Sequence, residues 1–143
     1  MSNTIRVNES APVHKWLTIS NQGTDCLLDL LIYASEMIEQ TKAQKKMISF
    51  LKQQKDINDV APGTAGFDIG EMPWERASFS EDIQFLFNVI EKAKSRTVWE
   101  KLPYEPEESI VIPWLEQFAD MVKEFMGIIA TENYYKTIDK RST

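Results

Sequence analysis

The sequence predicts a mainly α-helical fold, built as one domain over residues 1–143. Apolar residues recur at helical spacing in several long segments. A chain of 143 residues suits one hydrophobic core, and its 43% apolar share is typical of a globular domain rather than a disordered one. We expect a bundle of about four main helices, one ordered loop rich in glycine, proline and aromatic residues, and room for one or two short strands.

The two ends of the chain are expected to be less regular than its middle. Residues 1–12 alternate polar and apolar side chains around Ile5 and Val7. This alternation indicates either an edge strand or a loose arm. Residues 131–143 are more polar and are predicted to fray.

The first long helix is expected after a short apolar group at 13–19, interpreted as a helical turn, and a turn at 20–23. Thr24 or Asp25 can cap this helix, which is predicted to run to about Gln40. Its apolar side chains share one face of the helical wheel: Leu27, Leu30, Leu31, Ala34, Met37 and Ile38.

Two further helices follow. Lys42–Lys55 is predicted to be the second, with apolar residues on one side and lysines mostly on the other. Ser80, with Glu81 and Asp82 in the first turn, favours the start of a third helix that runs to about Lys94. Its apolar residues cover so wide an arc that we expect it to lie centrally.

The C-terminal part combines an irregular crossover with a last helix. Prolines interrupt residues 96–108. Residues 109–112 form either a short strand or the lead into a helix with Pro113 at its first position. The long final helix is expected from Trp114, and its predicted core face consists of Trp114, Phe118, Met121 and Phe125.

The segment 61–79 differs in composition from the helical segments around it. It contains three of the chain's five glycines, yet also apolar side chains such as Phe67 and Trp74. A plain linker would be polar, so we predict an ordered loop. Its mixture of aromatic and acidic residues is typical of a protein-binding hot spot. In the alternative interpretation, the apolar residues plug the end of the helices.

Two groups of residues are the candidates for partner binding. The first belongs to the loop, and the second is an acidic stripe predicted on the first helix. The loop group is Asp68, Glu71, Trp74 and Glu75. The helix group is Asp25, Asp29, Glu36 and Glu39.

Charge and hydropathy disfavour several classes of function. A net charge of −6 argues against nucleic-acid binding, because phosphates need a basic surface. The longest apolar run, Cys26–Ala34, is interrupted by Asp29 and is far shorter than the roughly 20 residues that span a bilayer. The first residues resemble no secretion signal. We therefore expect a cytoplasmic protein that binds neither nucleic acid nor membrane.

The chemistry-bearing residues predict no enzyme. His14 is the only histidine and Cys26 the only cysteine, and neither lies in a nucleophile motif. A zinc site would need more of both residues. Glu36 and Glu39 are three positions apart, but the histidine of a di-iron motif is missing. We predict no catalytic residue, no metal ligand and no cofactor.

Several segments together resemble small bacterial immunity proteins, which neutralise the toxin domains of contact-dependent growth inhibition and related polymorphic toxin systems. These segments are Gly66-Phe67-Asp68-Ile69, Met72-Pro73-Trp74, the helix at 85–93, Trp99-x-x-Leu102-x-Tyr104-x-Pro106, and 114–125. The resemblance implies a non-enzymatic cytoplasmic inhibitor that occludes the active site of one cognate toxin with a basic surface, such as a nuclease. Two alternatives stay open: a helical structural or regulatory interaction domain, and a hydrolase that uses a carboxylate-bound metal.

Overall fold

The computed structural model describes the backbone of residues 1–142 and the side chains of residues 1–132. The helices of this part are α1 (Asn21–Ser35), α2 (Lys42–Val60), α3 (Phe79–Ala93), the single-turn α4 (Arg96–Trp99) and α5 (Glu108–Ser142). Its strands are β1 (Ser2–Arg6), β2 (Leu17–Ser20) and β3 (Phe67–Asp68). The predictions of a mainly α fold and of four main helices are confirmed, since four of the five helices have seven residues or more.

Helix α1 is a central element, together with α3, for which the sequence predicted a central position. Ten of its fifteen residues are buried. It contacts all four other helices as well as β1 and β2. Helix α3 also has neighbours on more than one side, namely α1, α2, α4 and α5. The core is therefore organised around α1 and α3.

Both ends of α1 differ from the prediction. The segment expected to form a turn caps the helix instead, because Oγ of Ser20 accepts a hydrogen bond from the backbone N–H of Gly23 at 3.0 Å. The helix ends at Ser35 rather than near Gln40. The side-chain amide of Gln40 donates to the carbonyl oxygen of Ser35 at 2.6 Å and so satisfies a helix-end acceptor.

Helix α2 returns antiparallel to α1. Thr41 and Gln44 form a capping box, in which each side chain accepts from the backbone N–H of the other residue. The Nζ atom of Lys55, near the end of α2, lies 2.7 Å from Oδ1 of Asp29 near the middle of α1. The chain therefore reverses completely within the six residues between the two helices.

The three strands form one sheet in the order β2–β1–β3, with β1 in the middle. β1 is antiparallel to β2 and parallel to β3, and Ile5 faces Leu17 on one side and Phe67 on the other. The predicted edge strand or loose arm is thus a central strand, because apolar partners flank it on both sides. Of the helical turn expected at 13–19, only Val13–Lys15 is helical, and residues 17–19 form β2 together with Ser20.

Helix α5 begins earlier than expected and includes residues 109–112, so these do not form a strand. Pro113 lies inside the helix rather than at its first position, and its ring nitrogen has no hydrogen to donate to a preceding carbonyl. Phe118, Met121 and Phe125 are buried as predicted, while Trp114 is partly buried. The prediction that residues 131–143 fray stays a prediction, because the side chains beyond Glu132 lie outside the described part of the chain.

Candidate functional site

The loop acid Asp68 is held by an arginine of the central strand. Nε of Arg6 donates to Oδ1 of Asp68 at 2.8 Å, and a second guanidinium nitrogen donates to Oδ2 at 3.3 Å. The guanidinium carbon also lies 5.5 Å from the ring centre of Trp16, which is within cation–π range. Only 14% of the Asp68 side chain is exposed. Its charge is therefore compensated within the molecule.

Trp74 lies in an aromatic cluster with Phe79 and Phe125. Its ring centre is 5.3 Å from that of Phe79 and 5.5 Å from that of Phe125. The indole N–H donates to the carbonyl oxygen of Ile69 at 2.8 Å. The side chain is partly buried against the core. This geometry favours the interpretation of Trp74 as a plug between the loop, α3 and α5.

The other two loop acids are exposed. Glu75 lies 3.3 Å from Nζ of Lys46, in a surface ion pair that both side chains share with solvent. Glu71 forms no ion pair with a lysine or arginine among residues 1–132. It borders a cleft of about 300 Å³ on the outer side of the sheet, which Arg6, Trp16 and Asp68 also line. The loop therefore retains one uncompensated predicted acid, Glu71.

The two predicted acids that lie within α1 are also engaged internally. Oδ1 of Asp25 accepts from the Asn58 side-chain amide at 2.9 Å. Asp29 pairs with Lys55 at 2.7 Å and accepts from the Tyr104 hydroxyl at 3.1 Å. Burial acts to lower the pKa of the Lys55 ammonium, but the hydrogen bond and charge of Asp29 outweigh it, so the pKa is raised.

Sequence reasoning missed the polar side chains that surround this end of α1. A hydrogen bond to Asp25 raises the pKa of the Asp59 carboxyl, with burial and the negative charge of Asp25 acting in the same direction. Burial raises the pKa of the Cys26 thiol, and also that of the neighbouring Tyr104 hydroxyl. No local sequence pattern indicates that the side chains of these residues meet. Only the packing of α1 against α2 and the crossover brings them together.

The acidic stripe does not continue along the helix as predicted. Because α1 ends at Ser35, Glu36 is its C-terminal cap residue and Glu39 lies in the turn before α2. Both side chains are exposed, and neither forms an ion pair with a lysine or arginine of the first 132 residues. The four acids therefore divide into two different sites.

Glu39 borders an open groove between the α1–α2 turn and the start of α3. The groove has a volume of about 490 Å³. Its lining contains no lysine or arginine and consists of Ile38, Glu39, Gln44, Ser80, Glu81, Gln84, Phe85 and Asn88. We call it the acidic groove. The groove thus brings Glu39, from the predicted acidic stripe, into one lining with Glu81, which follows the loop.

A buried carboxyl is hydrogen-bonded to one residue of the acidic groove, Gln44. Asp82 is 0% exposed and accepts hydrogen bonds from the hydroxyl of Ser78 at 2.8 Å and the side-chain amide of Gln44 at 3.3 Å. Gln44 is itself held in place, because its Oε1 accepts from the backbone N–H of Thr41. Among residues 1–132, no lysine or arginine pairs with Asp82.

The described residues contain no group of three or more histidine, cysteine, aspartate or glutamate side chains that could hold a metal ion. His14 is exposed in a one-turn helix, and Cys26 is buried. Within the same part of the chain, no helix has the length and apolar character required to cross a bilayer. No protein-family model, curated protein or solved structure matches the chain.

Proposed function

We propose that the protein is a non-enzymatic inhibitor of the immunity type, which binds one toxin domain with a basic surface and occludes its active site. The observation that carries this proposal is the acidic groove, where Glu39 and Glu81 lie without a basic neighbour in the groove lining. Negative charge without an internal counter-ion attracts a positively charged partner.

The internal ion pairs explain why this surface stands out from the other acidic ones. Asp68 and Asp29 are each within 2.8 Å of a cationic nitrogen and are largely withdrawn from solvent. A compensated charge produces little field outside the molecule, whereas an uncompensated exposed one acts over about 8–10 Å at moderate salt. Of the predicted partner-binding acids, Glu36, Glu39 and Glu71 are exposed and without an ion pair among residues 1–132, and Glu81 lines the acidic groove with Glu39.

The inhibitor would act in the cytoplasm, by bulk and charge rather than by chemistry. Electrostatic attraction would speed association, and apolar contacts at the centre of the interface would slow dissociation. Neither nucleic acid nor membrane is a partner in this proposal. A helical structural or regulatory interaction domain would use the same surface toward a different protein. No observation among the described residues favours a carboxylate-bound metal and hydrolysis.

The test is neutralisation of the toxin domain encoded directly beside this gene. Cells that express that domain should grow when the protein is co-produced, and the two purified proteins should form a stable complex. Glu39→Lys combined with Glu81→Lys should weaken this complex by about 10-fold or more, since two favourable charge contacts become repulsive. The matched control is Glu9→Lys with Glu107→Lys, which changes the net charge equally at exposed positions outside the groove.

The outcome against the proposal is equally specific. If the wild-type protein neither binds nor neutralises the neighbouring toxin domain, the immunity-type function is wrong. Binding to a protein without toxic activity would instead support the adaptor alternative.

A further inference from the structure

We infer that a groove between the start of α3 and the middle of α5 receives an apolar side chain of the partner, carried on a segment with lysine or arginine beside it. The inference rests on the proposed function and names a second contact of the same interface, separate from the acidic groove. It follows from the size of this groove, the exposure of its residues and its position beside the acidic groove.

We call this second surface the apolar groove. It has a volume of about 220 Å³. Small-molecule pockets usually measure about 300–1,000 Å³, so the size suits one side chain of a protein partner rather than a complete small molecule. Five of its six lining residues are apolar, and the set is Phe79, Ser80 and Ile83 on α3 with Met126, Ile129 and Ala130 on α5.

The floor of the apolar groove is held in place, whereas one wall is exposed. Ile83 is 3% exposed, and the ring of Phe79 packs on that of Trp74 with their centres 5.3 Å apart. Met126 is 40% exposed. Methionine is flexible, fits irregular apolar surfaces and recurs at binding surfaces. A preformed floor beside an adaptable wall needs little reordering when a partner binds.

The charge beside the occupant follows from the neighbouring acidic groove. Ser80 lines both grooves, and the next residue, Glu81, lines the acidic groove together with Glu39. Among the described residues, neither lining contains a lysine or arginine. An apolar residue flanked by cations would therefore match this surface in both shape and charge. An apolar centre with a charged rim is also the usual arrangement of an interface hot spot.

A second copy of the chain fits this surface less well than a basic partner. The protein has a net charge of −6, so association of two copies would bring like charges together. The occupant is accordingly a segment of the partner rather than of this chain.

The first experiment measures the association and dissociation rates of the complex with the neighbouring toxin domain. Met126→Gln replaces an apolar side chain by a neutral polar one of similar length. It should raise the dissociation rate about fivefold or more and change the association rate less than about twofold, because no charge is altered. The matched control is Ile110→Gln, at a position 42% exposed on the same helix and outside both grooves. It should change neither rate by more than about twofold.

The second experiment needs no toxin. The peptide acetyl-Lys-Phe-Lys-amide is titrated into the whole protein, and the methyl signals of Ile83, Met126 and Ile129 are followed by nuclear magnetic resonance. These signals should shift with a common dissociation constant. The peptide acetyl-Lys-Ala-Lys-amide lacks the anchor, and acetyl-Asp-Phe-Asp-amide reverses the flanking charge. Both should bind about fivefold more weakly or worse.

Four outcomes would overturn the inference. An unchanged dissociation rate in Met126→Gln, or an equal increase in Ile110→Gln, would place the apolar groove outside the interface. Equal binding of the phenylalanine and alanine peptides would exclude an apolar anchor. Equal binding of the lysine-flanked and aspartate-flanked peptides would exclude the basic flank. Self-association that disappears in Met126→Gln, seen by sedimentation, would make a second copy the occupant. Thermal melting of each variant would show that the fold is intact.

Failure of this inference can be told apart from failure of the proposed function. If Met126→Gln binds and neutralises the toxin as well as the wild-type protein does, the inference is wrong but the immunity-type function stands. If the wild-type protein neutralises no toxin while the phenylalanine peptide binds in the apolar groove, the function is wrong and the groove is assigned to another basic partner.

Discussion

The side-chain amide of Asn3 donates to Oδ1 of Asn58 at 2.8 Å, and both residues are 3% exposed. This bond joins the central strand to the last turns of α2. Asn58 in turn donates to Oδ1 of Asp25 and to the backbone carbonyl of Asn21, which can only accept. These two acceptors determine which way the Asn58 amide faces, and thereby which way Asn3 faces. A buried polar network thus sets the position of β1 relative to α1 and α2.

Breaking this network should cost substantial stability. Asn58→Ala would leave the Asn3 amide and the Asp25 carboxylate with one hydrogen bond fewer, in a region that water does not reach freely. We expect the free energy of unfolding in urea to fall by about 2–3 kcal/mol. Gln53→Ala, on the exposed side of the same helix, should change it by less than about 0.5 kcal/mol. Similar losses for the two variants would show that the network contributes little.

Two glycines offer a matched pair of opposite predictions. A Cβ atom on Gly66 would lie 2.6 Å from the carbonyl oxygen of Thr4, so Gly66→Ala must push β3 away from β1. Gly127, inside α5, has nothing within 4 Å of such an atom. Gly127→Ala should therefore raise the free energy of unfolding by about 0.5–1 kcal/mol through helix propensity alone. Gly66→Ala should lower it, and thermal unfolding of both variants measures the two signs.

Trp74 should behave as a core residue. Trp74→Ala removes the ring that packs on Phe79 and Phe125 and leaves the carbonyl of Ile69 without its donor. We expect a loss of about 3 kcal/mol in the free energy of unfolding. Trp74→Phe retains most of the ring contact and should lose only about 1–2 kcal/mol. An unchanged melting temperature for Trp74→Ala, together with weaker toxin binding, would instead make Trp74 an interface anchor.

The Asp25–Asp59 pair predicts a pH-dependent contribution to stability. The pKa of Asp59 is raised above its ordinary value of 3.8, so between that value and the folded-state pKa the folded protein holds more protons than the unfolded chain. Its stabilising contribution is fully present below pH 3.8 and is lost as the pH rises through the folded-state pKa. Asp59→Asn should therefore raise the melting temperature at pH 7 but leave it nearly unchanged at pH 3.

The control for this prediction is Asp56→Asn, which removes the same charge from an exposed position of α2. It should not reproduce the difference between the two pH values. If it does, the effect arises from net charge rather than from the contact between Asp25 and Asp59.

The candidate site was only partly accessible from the sequence. The composition of 61–79 drew attention to Asp68 and Glu71, and the structure places both in the lining of one cleft. However, Arg6 is 62 positions from Asp68, and no local pattern indicates that the two side chains pair. The acidic groove likewise combines Glu39 of the predicted helix stripe with Glu81 of the predicted third helix, which are 42 positions apart. Charge pairing over such separations depends on the fold.

Local periodicity and composition determined the mainly α fold and the positions of its main helices, because an amphipathic pattern is written in neighbouring residues and needs no knowledge of what it packs against. The same information could not show that residues 17–20 form a strand or that Asp29 is compensated while Glu39 is not. A four-residue strand exists only through its partner β1, and the pairing of Asp29 requires Lys55 to return beside it on α2. Contacts between distant segments decide these features, and those contacts form only when the chain has folded.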